Sequence, residues 1–245
     1  MSPRNTFATA HRVLLQIKHD PRTIAMLVVV PCVLLVLLRY VFDDEPQIFQ
    51  QIGAPLCGLF PFIIMFLISS ITMLRERTTG TLERLMTLPI AKLDLLLGYG
   101  IAFGALAIAQ AIAVCITGFP ILGLNAPHGV LLITGLAILN AILGMALGLC
   151  VSAFAKTEFQ AVQFMPALIF PQLLLCGLFV ARDQMAPLLE AISDILPLTY
   201  AYEALALATA PGDLDSDIVV DALVVAGFTI GALVLGAWTL RRRTA

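Results

Sequence analysis

Long apolar stretches are the sequence feature that most constrains the fold of this chain. There are six of them, each close to or above 20 residues, and short polar segments separate them. A helix needs roughly 20 mainly apolar residues to cross the hydrocarbon core of a bilayer, so each stretch is long enough to span it. Hydrophobic residues make up 60% of the chain and charged residues only 12%, whereas about a quarter of a soluble domain is charged. The sequence therefore predicts an all-α integral membrane protein with six transmembrane helices.

Turns that contain charged residues, proline or glycine set the boundaries of the predicted spans. The spans cover residues 24–42, 52–74, 95–121, 130–154, 159–181 and 218–240. The fifth differs from the others because Pro166, Pro171 and Gly177 lie within it and are expected to bend or break a helix. We interpret residues 1–245 as a single transmembrane domain with short connections. Any nucleotide-binding domain is therefore expected on a separate chain.

Three of the segments outside the spans have recognisable patterns. Residues 1–23 interleave basic and apolar side chains, which is typical of an amphipathic helix at a membrane surface. Residues 75–93 carry many charges, and their apolar positions predict a short amphipathic element that begins near Gly80 and ends at Pro89. Residues 182–217 have apolar residues at helical spacing and tyrosines, which predicts short extracellular re-entrant helices that dip into the outer leaflet.

The distribution of charge predicts the orientation of the spans. Basic residues near span ends are held on the cytoplasmic side of a membrane. With the N-terminus inside and six spans, 12 of the 14 basic residues lie on the interior side, and 11 of the 16 acidic residues lie outside or at the outer boundary. A different number of spans would scatter these charges. The sequence therefore predicts that both termini are cytoplasmic.

The sequence contains no pattern typical of catalysis or metal binding. It has no phosphate-binding loop, no nucleophile elbow and no cluster of its three histidines and five cysteines. The centres of the spans also carry almost no ionisable residue, so a proton relay is not indicated. We therefore expect no catalytic residue, no metal site and no cofactor on this chain. A transporter of this kind must take its energy from a partner that docks on the basic interior face.

Neutral amides supply much of the polarity within the spans. Such side chains more often form hydrogen bonds between helices than contact a ligand. Three of them, Gln160, Gln163 and Gln172, lie in the broken fifth span and are our candidates for a substrate pathway. Small-residue pairs at four-residue spacing also occur, and each predicts either close packing within the chain or an interface with a second copy. They are Gly100 with Gly104, Gly144 with Gly148, and Gly227 with Gly231.

Residues 75–90, RERTTGTLERLMTLPI, resemble the cytoplasmic loop between the second and third spans of type-2 ABC exporter permeases, including the daunorubicin-resistance type. Two further segments match in the same order. Asp20-Pro21-Arg22 precedes a first span that contains Pro31, and PLTY at residues 197–200 precedes the last span. The resemblance thus covers essentially the whole chain, and the loop at residues 75–90 is the strongest evidence for it.

The resemblance implies a multidrug, antibiotic or lipid export permease in a plasma membrane, and by analogy a bacterial one. Two permeases, identical or different, would assemble with two ABC ATPase subunits, and ATP and magnesium would bind to the ATPases. Residues 75–93 would form the coupling segment, in which the ATPase contacts are assigned by position to Arg75, Glu76, Arg77, Gly80, Thr81, Leu82, Glu83 and Leu85. No nucleic acid is expected as a partner.

Two other classes of function are compatible with a bundle of membrane helices. A membrane-embedded enzyme would need inward-facing acids, histidines or a nucleophile pair, and the spans show none. A scaffold or assembly subunit needs only helices and an interface, so it stays open as the alternative. A coupling-like loop together with a proline-broken span favours the permease, because a passive anchor requires neither feature.

Overall fold

A computed structural model describes residues 3–81, 84, 92–213 and 216–239, apart from the side chains of residues 92, 93 and 96. Within these ranges the chain consists of helices joined by turns and contains no strand. The α-helices of at least six residues are α1 Pro3–Lys18, α2 Pro21–Val41, α3 Pro46–Thr78, α4 Lys92–Ile116, α5 Val130–Val151, α6 Glu158–Phe164, α7 Phe170–Leu175, α8 Pro187–Ser193, α9 Pro197–Thr209 and α10 Asp217–Thr239. The prediction of an all-α protein is confirmed.

In the part of the chain that the structure describes, five helices are long and apolar enough to cross a membrane. They are α2, α3, α4 with its π-helical extension to Ile121, α5 and α10. These five coincide with the first, second, third, fourth and sixth predicted spans. The predicted count of six spans is therefore not confirmed.

The fifth predicted span is divided into short pieces. Helix α6 passes into a π-helical turn, Met165–Ile169, and α7 then ends before Gly177, whose φ is +100°. Pro166 and Pro171 account for this because proline removes a backbone donor and its ring clashes with the preceding turn. Whether the divided segment completes a sixth crossing remains a prediction.

Helices α3 and α5 form the centre of the bundle. In the most apolar window of α3, 67% of the residues are buried, against 17% in α2 and 28% in α10. Close approach between α3 and α5 depends on Gly144 and Gly148, because a Cβ at either position would overlap the carbonyl oxygen of Phe62 or Phe66. This pair therefore packs within the chain.

The predicted amphipathic helix at the N-terminus is α1, and its buried face lies against α4. That face consists of Thr6, Thr9, Ala10, Val13 and Ile17. A Cβ on Gly98 of α4 would lie 2.6 Å from the Cβ of Thr9, so glycine permits the contact. Two residues separate α1 from α2, and the Asp20 carboxylate caps α2 by accepting from the backbone N–H groups of residues 22 and 23.

Helices α8 and α9 form within residues 182–217, where short helices were predicted. Helix α9 packs against α3, α5 and α10. The Asn140 side chain of α5 donates a hydrogen bond to the carbonyl oxygen of Ala201 at 3.2 Å, which fastens α9 to the bundle. The depth of these helices in the outer leaflet remains a prediction.

Candidate coupling and transport surfaces

Three helices meet in a polar cluster formed by Arg12, Glu76 and Tyr99. Nη1 of Arg12 donates to Oε1 of Glu76 at 3.2 Å, and its Nη2 donates to the Tyr99 hydroxyl at 2.6 Å. The guanidinium also lies 5.7 Å from the centroid of the Tyr99 ring, a cation–π distance. We call this group the inner cluster. It ties α1 to the end of α3 and the beginning of α4.

Burial explains why Glu76 requires these partners. The residue is only 6% exposed, and a carboxylate removed from water is costly unless a cation or hydrogen-bond donors compensate it. Sequence reasoning selected Glu76 as a coupling residue but missed both of its neighbours. The available signals were the position of Arg12 within an amphipathic helix and the single tyrosine of the third span, Tyr99.

Arg75 forms a second contact from the end of α3. Its Nε and Nη2 donate to the two carboxylate oxygens of Glu158 at 2.7 and 2.9 Å, a bidentate arrangement. These hydrogen bonds hold the pKa of Glu158 below its ordinary value. Both side chains are about half exposed. The pair therefore joins α3 to the start of the divided fifth segment at a solvated site.

The other predicted coupling residues are only partly described. Arg77 lies half-buried in the last turn of α3. Gly80 follows that helix with a φ of +72°, a conformation that favours glycine just beyond a helix end. The hydroxyl of Thr81 lies 3.1 Å from that of Thr79. The remaining three residues, Leu82, Glu83 and Leu85, lie outside the described residues, and contact with an ATPase stays a prediction for the whole set.

The three glutamines of the fifth segment lie in different environments. The amide oxygen of Gln160 accepts from the Lys156 N–H at 2.9 Å, and its own N–H donates to Thr157, so it caps α6. Gln163 is exposed. Gln172 is buried and donates to the Leu168 carbonyl at 3.0 Å. They do not form one polar surface, and a role in a substrate pathway remains a prediction.

A cavity that was not predicted lies between the start of α3, the end of the fifth segment and α9. We call it the outer cavity because the sequence predicts that this end of the bundle faces outside. Its volume is about 700 Å³. A neighbouring hollow of about 680 Å³ shares Gln51, Tyr202, Ala206 and Ala210 with it. Aliphatic and aromatic side chains line the cavity together with charged groups, including Arg182 and Glu203. Such a mixture suits an amphipathic molecule.

Arg182 connects three parts of the outer connection. Its Nε donates to the Ser193 hydroxyl at 3.1 Å, and Nη1 donates to the Glu203 carboxylate at 2.9 Å. Its Nη2 donates to the Asp194 carboxylate. The side chain therefore fixes α8 and α9 around the outer cavity. In the sequence, Arg182 is one of the two basic residues that the predicted topology does not place on the interior side, and no partner was predicted for it.

Known proteins are similar in sequence to most of the length of this chain. A sequence model of the ABC-2 type transporter family matches residues 4–208. The chain is 25% identical over 167 residues to the probable multidrug ABC transporter permease YbhS of Escherichia coli K12, a match that covers 66% of this chain and 43% of that protein. It is 26% identical over 149 residues to ABC transporter G family member 20 of Dictyostelium discoideum, covering 60% and 20%. The chain thus spans less than half the length of these curated relatives.

Proposed function

Because the chain belongs to the ABC-2 type transporter family, we propose that it is the permease subunit of an ABC exporter. The cargo is an amphipathic, drug-like or lipid-like molecule that crosses a bacterial plasma membrane. A separate ATPase chain binds and hydrolyses ATP with magnesium, and two permeases assemble with two such ATPases. The multidrug permease named among the relatives supports the cargo class. Both termini are cytoplasmic, and the divided fifth segment provides the sixth crossing.

The inner cluster is the observation that carries this proposal. Glu76 lies at the start of the predicted coupling segment, residues 75–93, and Tyr99 follows the end of that segment along the chain. Arg12 bonds to both, so the two ends of the segment and the N-terminal helix are joined at one point. A push on the segment is therefore delivered to α1, α3 and α4 together. Coupling of this kind needs rigid elements that move between two discrete arrangements.

The outer cavity supports the transport part of the proposal. It lies beside Gln51 and Ile52, near the opposite end of the helix that carries Glu76. Its mixed apolar and charged lining suits a cargo with both kinds of surface. One helix, α3, thus connects the coupling region with a space that is large enough for a small organic molecule.

Co-purification and reconstitution test the proposal. The protein is isolated from its host in mild detergent with its associated chains, and ATP hydrolysis is measured with wild type, Glu83→Gln and Arg39→Gln. Arg39 is the control because it lies in the last turn of α2, outside the predicted coupling segment, where it pairs with Asp43. We expect a stoichiometric ATPase whose stimulated activity falls only in Glu83→Gln. A stable dimer without an ATPase, or an ATPase indifferent to Glu83, contradicts the proposal and favours a scaffold.

A further inference from the structure

A shallow groove runs along the outward face of α1. Its volume is about 580 Å³, and it is lined by Ala8, His11, Arg12, Leu15, Gln16 and His19. The histidine, arginine and glutamine side chains on its walls carry nitrogens that can donate hydrogen bonds. Ala8 and Leu15 make part of the surface apolar. Among the described residues no carboxylate lines it, and α1 contains neither aspartate nor glutamate. The groove therefore fits an anionic group attached to an apolar one.

The contacts of α1 fix its depth relative to the membrane helices. Thr9 meets α4 at Gly98, and Arg12 meets Tyr99 on the next residue and Glu76 near the end of α3. The apolar window of α4 begins at Leu97, and α2 begins at Pro21, just after α1 ends. Helix α1 thus lies against three spans at the level where their apolar parts begin. This level corresponds to the headgroup region of a bilayer.

A stripe of exposed residues, alternately basic and apolar, runs along the same face of α1. Its members are spaced by three or four residues, which places them on one side of a helix: Arg4, Phe7, His11, Leu15 and Lys18. Phe7 is 64% exposed and Leu15 is 40% exposed. Water does not stabilise the two apolar side chains, and hydrocarbon does not accept the cationic ones. The membrane interface accommodates both, since apolar groups insert while cations reach the phosphates.

We propose that this stripe and groove bind anionic phospholipid headgroups. The phosphate is held by the basic side chains of α1, and Phe7 and Leu15 insert between the upper acyl segments. Two acidic residues close to α1 already have partners, because Glu76 is bonded to Arg12 and Asp20 caps α2. The site does not depend on transport. Only the identity of the leaflet, the cytoplasmic one, rests on the proposed function.

Fluorescence quenching by brominated lipids tests the site. The chain has one tryptophan, so Phe7→Trp is introduced together with Trp238→Phe, and the protein is reconstituted in mixtures of phosphatidylcholine and phosphatidylglycerol. In one sample only phosphatidylglycerol is brominated, and in the other only phosphatidylcholine. We expect stronger quenching by phosphatidylglycerol. A basic residue near the surface changes the relative association constant by about fivefold, so Lys18→Gln lowers the preference by about that factor.

Lys156→Gln is the matched control, because Lys156 is an exposed lysine between α5 and α6 that lies outside the stripe. It is expected to leave the preference at position 7 unchanged. Equal quenching by the two lipids overturns the proposal, as does an equal effect of Lys18→Gln and Lys156→Gln. Absence of quenching by either lipid also overturns it and indicates that protein covers this face. Because no ATPase is present, these outcomes are independent of the export proposal.

Discussion

Glu76, near the end of the second membrane helix, accepts a hydrogen bond from Arg12 of the N-terminal helix, although 64 residues separate them in the sequence. A contact between such distant positions cannot arise from local helix geometry. It requires that α1 fold back against the bundle, where the Tyr99 hydroxyl accepts a second hydrogen bond from Arg12. Arg75, the residue next to Glu76, forms its pair with Glu158 in a more exposed environment. The two pairs can therefore be compared directly.

Replacement of Glu76 by glutamine is expected to destabilise the protein. The substitution keeps the shape but removes the charge that compensates the half-buried Arg12, and the loss is about 1–3 kcal/mol. Glu158→Gln affects an exposed pair and is expected to cost less than about 1 kcal/mol. Thermal unfolding in detergent compares the variants. A larger shift for Glu158→Gln would contradict the burial of the inner cluster.

Gly144→Ala is expected to weaken the packing of α5 on α3. The added methyl group meets the backbone carbonyl of Phe62, which cannot move like a flexible side chain, and overpacking of this kind costs about 1–3 kcal/mol. Gly104→Ala is the control because a Cβ there meets nothing within 4 Å. The apparent midpoint of unfolding should fall only in the first variant. A fall in Gly104→Ala alone would point to a partner on that face.

The Arg75–Glu158 pair predicts a specific dependence of stability on pH. The folded protein holds the pKa of Glu158 below its ordinary value of about 4. The pair therefore adds stability above that ordinary value, and this contribution is lost as the pH falls through the lowered pKa. Wild type and Glu158→Gln should differ in thermal stability near neutral pH and converge under strongly acidic conditions. A difference that grows on acidification would show the opposite sign of coupling.

Arg182→Gln is expected to loosen the outer connection. The variant leaves the carboxylates of Asp194 and Glu203 without the cation that joins them, so α8 should open locally more often. Hydrogen exchange of residues 182–203 measures this, and we expect protection to fall by about tenfold or more, which corresponds to roughly 1.4 kcal/mol. Arg39→Gln removes the pair with Asp43 and a contact with the Phe49 ring, both outside residues 182–203, and should leave that segment unchanged. Unchanged exchange in Arg182→Gln would show that apolar packing alone holds the helices.

Gln110→Leu is expected to stabilise the protein. Gln110 is fully buried in α4, and neither atom of its amide has a hydrogen-bond partner among the described residues. A buried amide without partners costs about 1–3 kcal/mol, and leucine fills a similar volume without that cost. Thermal unfolding in detergent measures the stability of the variant, and cargo uptake into reconstituted vesicles measures its transport activity. A stabilised but inactive variant would indicate that Gln110 contacts cargo, whereas destabilisation would reveal a partner within the protein.

The sequence predicted the membrane helices well because hydrocarbon imposes a strict requirement on length and apolarity. Five long helices and the amphipathic α1 lie where the pattern placed them. The division of the fifth span followed from Pro166 and Pro171. The contact between Gly144 and α3 was one of two stated possibilities, since spacing alone does not identify the partner surface.

The side-chain clusters were less predictable for a different physical reason. Partners such as Arg12 and Tyr99 are chosen by the way helices pack, and single-sequence periodicity reports only which face is apolar. Arg182 likewise entered the prediction only in the count of charges on the two sides of the membrane, although it donates hydrogen bonds to three groups. Gln160 was selected for polarity in a span, but its position after Thr157 also matched a helix cap.

Helix α3 has 33 residues and is therefore about 50 Å long, against about 30 Å for the hydrocarbon core. One end borders the outer cavity at Gln51, and the other carries Glu76. A hydrogen-bonded helix is stiff along its axis, and Pro55 and Pro61 are the positions at which α3 can bend. A compound wedged beside Gln51 would therefore restrain the far end of α3 as well, so an inhibitor need not bind at the Glu76 end of this helix to act on it.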